Sequence, residues 1–257
     1  MSDNGIAIVD KPAGMTSHDV VDRARRIFGT RKVGHGGTLD PDATGVLVLG
    51  VGRATRFLSY AQQGPKRYVA VARFGITTST QDASGEILET KTVSLDRDRL
   101  ERAIPPFVGR IMQVPPMVSA VRVGGRRLHE LARAGKEVAR KARDVRVYEL
   151  KVTDFTPGEY PEAQLSIKCS GGTYVRTLIH DLGSSLETGA HMVSLVRTEA
   201  GGFTLADAVS LDDLSPEHLR PMTAAVQGLV QLEVDPSAVR LVSNGRPLHL
   251  GEARLPG

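Results

Sequence analysis

The chain has 257 residues, a formal charge of +4, one cysteine and no tryptophan. One thiol rules out an internal disulfide or a multi-thiolate metal site, and a length of this order suits one large domain or a main domain with an appendage. The start lacks a basic-then-apolar export signal and no apolar run approaches the ~20 residues of a membrane helix, so a soluble, cytoplasmic protein is expected.

In chain order, Ile6-Ala7-Ile8-Val9 reads as a short strand closed by Lys11-Pro12. Thr16 or Ser17 then caps a helix carrying Val20, Val21, Ala24, Ile27 and Phe28 at helical spacing, and Gly29 stops it. Arg23, Arg25 and Arg26 lie largely off that apolar stripe, and Arg31 and Lys32 continue the basic tract. Next comes Gly34-His35-Gly36-Gly37-Thr38-Leu39-Asp40-Pro41-Asp42-Ala43-Thr44-Gly45, a glycine-rich loop that presents an imidazole and a carboxylate. Pro41 fixes the chain just after Asp40, although Asp before Pro is also an ordinary turn signal. Residues 46–51 read as a buried strand, and 67–74 as another in which Tyr68, Ala70, Ala72 and Phe74 alternate with Val69, Val71 and Arg73. Residues 75–85 form a Thr/Ser-rich loop, and 95–108 a helix that ends before Gly109.

Between 117 and 145 the character changes: a hairpin-like 121–125, then a basic, helix-like 128–134 broken by Gly135. Arg126, Arg127 and Arg133 belong to this stretch. A basic, glycine-hinged insertion in a compact domain is where a nucleic-acid-gripping element would sit, with solvated helix faces as the plain alternative. Residues 145–152 and 164–169 alternate as strands, with Cys169 on the apolar phase as a buried structural thiol. Gly171-Gly172 turns into a helix with apolar residues at 175, 178, 179, 182 and 186, which puts Arg176 in its first turn. The helix dipole disfavours a cation there, so a carboxylate or phosphate partner is expected. Residues 211–230 look helical, interrupted at Pro216 and Pro221, and 232–257 begin something new.

Five stretches occur in one order: Asp10-Lys11-Pro12-Ala13-Gly14-Met15-Thr16-Ser17, the Asp40 loop, Lys66-Arg67-Tyr68-Val69, Gly172-Thr173-Tyr174-Val175-Arg176-Thr177 and Val193-Ser194-Leu195-Val196-Arg197-Thr198. Together they resemble the motifs of the bacterial tRNA pseudouridine-55 synthases, the TruB family. The resemblance runs from about Ile6 to Leu214 and takes in Gly75, Thr78, Thr80, Asp82, Gly85 and 115–120. It implies an α/β (α+β) pseudouridine synthase fold, a mixed, largely antiparallel sheet flanked by helices. Residues 1–214 would be the catalytic domain, with 117–145 as an RNA-gripping insertion. Residues 215–257 would be a C-terminal extension in which Ser243-Asn244-Gly245-Arg246-Pro247-Leu248 looks like the opening of an incomplete PUA-like domain.

By the same resemblance Asp40 is the catalytic nucleophile, Arg176 maintains its charge, and Tyr68 stacks on the target base and is a proposed proton acceptor. Leu195 packs at the pocket wall, and Tyr174 and Lys11 belong with substrate binding. His35 on its own could be a metal ligand, a general base or a wedge, but the other histidines show no ligand spacing with it. The family gives it the wedge role, taking the place of the flipped uridine. Arg31, Lys32, Arg126, Arg127 and Arg133 are expected to contact RNA. The implied partner is the tRNA T stem-loop, bound by a monomer without guide RNA, metal or cofactor; tRNA folding assistance could accompany catalysis. Two departures stand out: Gly36 replaces the family's usual Ala or Thr, which should loosen the histidine loop, and Val196 replaces a common second arginine. The rival readings are a non-catalytic tRNA-binding protein and a glycoside hydrolase using Asp40 and Asp42. Two carboxylates two residues apart on a loop are poorly placed to flank a scissile bond.

Overall fold

The computed structural model describes residues 4–117, 122–123, 126–127, 138–227, 229–230, 233–247 and 253–254. The chain opens with strand β1 (Gly5–Lys11), helix α1 (Ser17–Ile27), β2 (Val33–His35) and β3 (Thr44–Val51). Thr16 caps α1 in a reciprocal box with Asp19, the arrangement that satisfies two orphan donors at once. Helix α2 (Leu58–Gln63) leads into β4 (Lys66–Phe74), then a small hairpin of β5 (Ile76–Thr78) and β6 (Ile87–Thr90). Helix α3 (Arg97–Ala103), β7 (Gly109–Gln113) and a two-residue hairpin, β8 (Arg122–Val123) with β9 (Arg126–Arg127), follow. Then come β10 (Arg143–Thr156), β11 (Glu162–Cys169), α4 (Val175–Ser185), β12 (Ala190–Ala200), β13 (Phe203–Thr204) and β14 (Val209–Ser210).

Among the described residues one mixed sheet runs β14-β1-β3-β12-β4-β11-β10-β7, with β2 added to β3 and β13 to β12. Only the β1–β14 and β3–β12 pairings are parallel; the rest are antiparallel, as expected. The two halves of the sheet bury differently, and their sequences say so. β1 and β3 read as continuous apolar runs because both of their faces are covered: Ala7, Val9, Leu47 and Leu49 pack with α1, while Ile6, Ile8, Val46 and Val48 pack with Ala61 of α2, Phe203 and Ala225. β4 alternates because Tyr68, Ala70, Ala72 and Phe74 face α4 and the α3 region, while the intervening residues are only half-buried.

Three local expectations are corrected. The 75–85 loop contains β5, three residues long, which pairs with β6. The described residues of 211–230 form no long helix: the prolines leave two short 3₁₀ turns, Pro216–His218 and Met222–Val226. The second turn packs back onto the main sheet through buried Ala225, and Ile6 and Arg220 exchange backbone hydrogen bonds. β12, at the centre of the sheet, has no counterpart among the sequence-derived strands. Farther on lie α5 (Pro236–Ser243) and a β15 (Glu233–Val234) to β16 (Ala253–Arg254) pair. The basic helix-like 128–134 piece, with Arg133, lies outside the described residues.

Candidate active site

The Asp40 loop leaves β2 and returns as β3, and two buried cations hold it in place. Lys11, at the end of β1, donates from Nζ to the carbonyls of Pro12 (2.7 Å), Met15 (2.6 Å) and Pro41 (2.8 Å). Burial lowers its pKa to about 8, so near neutrality it remains an ammonium, with one proton for each carbonyl. Arg197, on β12 and only 1% exposed, donates to Val46 O (2.7 Å), Gly37 O (3.1 Å) and Thr38 O (3.3 Å). Ser17 adds a reciprocal pair, its Oγ accepting from Leu39 N (2.8 Å) and donating to Leu39 O (3.2 Å). Gly45 allows β3 and β12 to meet: its φ is +102°, and a Cβ there would lie 2.2 Å from Arg197 O. A tight turn, closed by Ala43 N to Asp40 O (3.1 Å), then sets the Asp40 side chain at the loop's edge.

Gly36 corrects an expectation. A Cβ there would sit 3.0 Å from Ala61 Cβ and 3.4 Å from Val48 Cβ, so the glycine closes the loop base against α2 and β3 rather than loosening it.

Arg176 sits in the first turn of α4, 4% exposed, and the expected partner proves to be two carboxylates. Its guanidinium donates to Asp40 Oδ1 and to Asp82 Oδ2, each at 3.0 Å. The fork geometry of arginine suits such sharing, and two anions outweigh the adverse dipole. The other oxygen of Asp82 accepts from Thr80 Oγ1 (2.6 Å), Ser84 N (3.1 Å) and Ser84 Oγ. Asp40 is the more open carboxylate, its side chain 38% exposed toward the cleft against 14% for Asp82. Burial pushes the Asp40 carboxyl above the usual range; Arg176 opposes this and the negative Asp82 reinforces it.

A cavity of about 340 Å³ opens in front of this pair, lined by Asp40, Tyr68, Tyr174, Arg176, Leu195 and Arg197 among others. Tyr68 is buried on β4, and burial raises its phenol pKa, with neighbouring Arg197 acting the other way. Tyr174 is half-buried; its backbone N and O are both bound by the buried amide of Gln113, at 3.0 and 3.2 Å. Leu195 and Met192, on β12, border both this cavity and a second one of about 390 Å³, which Asp40 and Arg176 also line. The floor can hold a flat ring against Tyr68 with a carboxylate at its edge.

Of the expected site residues, Asp40, Tyr68, Tyr174, Arg176 and Leu195 converge on one cavity, and Lys11 lies beneath the loop. His35 ends β2, half-buried, and does not line the cavity; its carbonyl accepts from Gln62, which does. Burial lowers its pKa and its Nδ1 accepts from Gly37 N (3.3 Å), so the imidazole is neutral. Arg31 and Lys32 are exposed beside the base of this loop. Arg126 and Arg127 oppose Val123 and Arg122 across the small hairpin.

Residue-level reading missed Arg197, Gln113 and the role of Asp82. Arg197 looked like one more arginine, with no signal of burial. The Thr78-Ser79-Thr80-Gln81-Asp82-Ala83-Ser84 stretch did carry one, alternating hydroxyls around a carboxylate, the chemistry of a self-bonded turn.

Two family models match the chain: the TruB family pseudouridylate synthase N-terminal domain over residues 25–175, and the tRNA pseudouridylate synthase B C-terminal domain over 176–227. The tRNA pseudouridine synthase B of Symbiobacterium thermophilum is 48% identical over 245 residues, spanning 94% of this chain and 82% of that protein. That of Streptococcus gordonii is 45% identical over 270 residues, spanning 99% and 91%. Among solved structures, a chain of a Cbf5-Nop10-Gar1 complex superposes with a TM-score of 0.76 at 29% identity, over 97% of this chain and 69% of that one.

Proposed function

Because this chain belongs to the TruB family of pseudouridylate synthases, it is a tRNA pseudouridine synthase, an isomerase, and we propose that Asp40 carries out its reaction on uridine 55 of the T stem-loop. The observation that supports this reading is the Asp40–Arg176 pair, 3.0 Å apart, at the edge of a cavity walled by Tyr68 and Leu195. Converting uridine to pseudouridine breaks the bond from ribose C1′ to uracil N1 and forms one from C1′ to C5. C5 gives up its proton and N1 gains one, so the change is redox-neutral and calls for no oxidant or cofactor. It calls for a nucleophile to carry the reacting unit, a pocket that retains the detached uracil, and an extruded nucleotide.

Asp40, facing the cavity while its partner is buried, is the nucleophile. Arg176 keeps it ionised against the cost of burial. Tyr68 provides the flat surface for the ring, Leu195 and Tyr174 close the sides, and Lys11 fixes the loop from below. His35, neutral and next to the rim residue Gln62, is the wedge that replaces the flipped base. Arg31 and Lys32 meet phosphates beside it, and Arg126, Arg127 and Arg133 do so from the insertion. The protein works as a cytoplasmic monomer without guide RNA; residues 1–214 carry the chemistry, with 215–257 as a short PUA-like extension.

The test is to incubate a T stem-loop transcript with the protein and map the product nucleotide by nucleotide. Pseudouridine confined to position 55 is the expected result. Free uracil with an abasic site would make the protein a glycosidase, and unmodified but bound RNA would make it a binding protein.

A further inference from the structure

Two neighbouring contacts join the β5–β6 loop to the start of α4. Asp82 takes Arg176, and one residue earlier on the loop and one later on the helix the Gln81 side-chain oxygen accepts from Thr177 Oγ1 at 2.8 Å. Consecutive residues on the loop thus grip consecutive residues on the helix. The loop backbone is also bound to β12, Met192 N donating to Gln81 O (3.0 Å) and Ala83 N to Met192 O (2.9 Å).

Gln81 holds this position in a left-handed conformation, φ +66°, where a side chain is strained and glycine would be relaxed. Thr177 is 3% exposed, so its hydroxyl has exchanged water for the glutamine oxygen. The other non-glycine residue with positive φ among those described, Glu187, follows directly on the end of α4, where helix termination accounts for it. Gln81 instead closes the tight turn after β5, its N donating to Thr78 O (3.2 Å), and keeps a long side chain there where glycine would serve the turn alone.

We propose that the Gln81–Thr177 hydrogen bond is a positioning device: it fixes where Asp82 stands against Arg176, and so how the guanidinium is divided between Asp82 and Asp40. This rests on the reading of Asp40 as the nucleophile. The groups facing Asp40 are Arg176 from α4, Asp82 from the β5–β6 loop, Lys11 from β1, Tyr68 from β4 and Asp42 on its own loop. Of these, Asp82 is the one the clamp controls. With the clamp cut, Asp82 moves off, its repulsion of Asp40 weakens, and Asp40 ionises at lower pH. Arg176 at the same time loses its second anchor, and the reaction slows through misplacement despite easier ionisation.

The test compares Thr177→Val, Thr177→Ser and Gln81→Gly in the full chain. The Asp40 carboxyl is titrated by ¹³C NMR, its signal assigned by its absence in Asp40→Asn, and single-turnover rates are measured on T stem-loop RNA together with RNA affinity. Thr177→Val and Gln81→Gly should both move the Asp40 titration to lower pH and slow the reaction about 10- to 100-fold. RNA affinity should hold within about twofold, as phosphate contacts dominate it. Thr177→Ser should restore both readouts. An Asp40 titration unmoved in Gln81→Gly, which relieves strain and keeps the backbone bonds, would overturn the proposal even if Thr177→Val folds poorly. Absence of pseudouridine from the wild type would instead overturn the functional reading, with the NMR arm still judging the clamp.

Discussion

Tyr68 and Asp40 face one cavity from opposite kinds of scaffold. Tyr68 is placed by β4, whose alternate residues are buried against α4 and whose backbone is paired on both sides by β11 and β12. Asp40 is placed by a loop whose carbonyls are gathered by two buried cations, Lys11 and Arg197. Apolar burial spreads its stabilisation over many small contacts, so the sheet side should tolerate single changes. The loop side depends on a few charge-assisted hydrogen bonds, each strong and each without a substitute. The carboxylate proposed as the nucleophile thus sits on the half of the cleft that is easiest to displace.

The largest effect should come where the two halves are joined. Arg176→Lys keeps a positive charge but cannot fork between Asp40 and Asp82, and the single-turnover rate should fall at least about 100-fold with the fold intact by circular dichroism. A loss of only a few-fold would mean that charge alone suffices.

Next, Arg197→Met should free the loop while filling the same space. Three carbonyls lose their donor, at a cost of about 3–5 kcal/mol in unfolding free energy, and the rate should drop about 10- to 100-fold. The matched change on the sheet side, Ala70→Gly, should cost about 1–2 kcal/mol and leave the rate within a few-fold. Equal damage to catalysis from both would erase the contrast.

A smaller effect concerns pH. As the proposed nucleophile Asp40 must be ionised, and burial raises its pKa, so activity should climb with pH through that raised value. Asp82→Asn removes a negative neighbour and lowers the Asp40 pKa, which moves the acid limb of the rate profile to lower pH. A limb that moves upward would show that Asp82 acts chiefly by fixing Arg176. The smallest effect is at the loop base: Gly36→Ala should cost about 1 kcal/mol through contact with Ala61, and Ala61→Gly should relieve it. Additive costs would place the strain elsewhere.

The sheet half was far more legible in sequence than the loop half. The β4 alternation, the unbroken apolar run of β3 and the stripe of α4 all appear as periodicity because burial produces periodicity. β12 did not, since register shifts at Met192/Ser194 and Arg197/Glu199 break its period of two and two of its buried side chains, His191 and Arg197, are polar. Lys11 and Asp40 stood out only through the order of motifs; nothing in local pattern says that a lysine at the end of a strand will bind a carbonyl thirty residues on. Arg176 was partly legible on physical grounds, because a cation in a first helical turn calls for an anion. That the anions would be two, one of them Asp82, needed the fold.

The central claim is that Asp40 performs the chemistry while other surfaces hold the RNA. It is tested most directly by Asp40→Asn, assayed for pseudouridine at position 55 and for RNA affinity in the same buffer. The amide has nearly the same shape and can still accept from Arg176, so the loop should stay in place. Pseudouridine formation should be lost, by at least about 1,000-fold, with affinity within about twofold of wild type. Turnover near the wild-type rate would remove Asp40 from the mechanism and leave the fold without its proposed nucleophile.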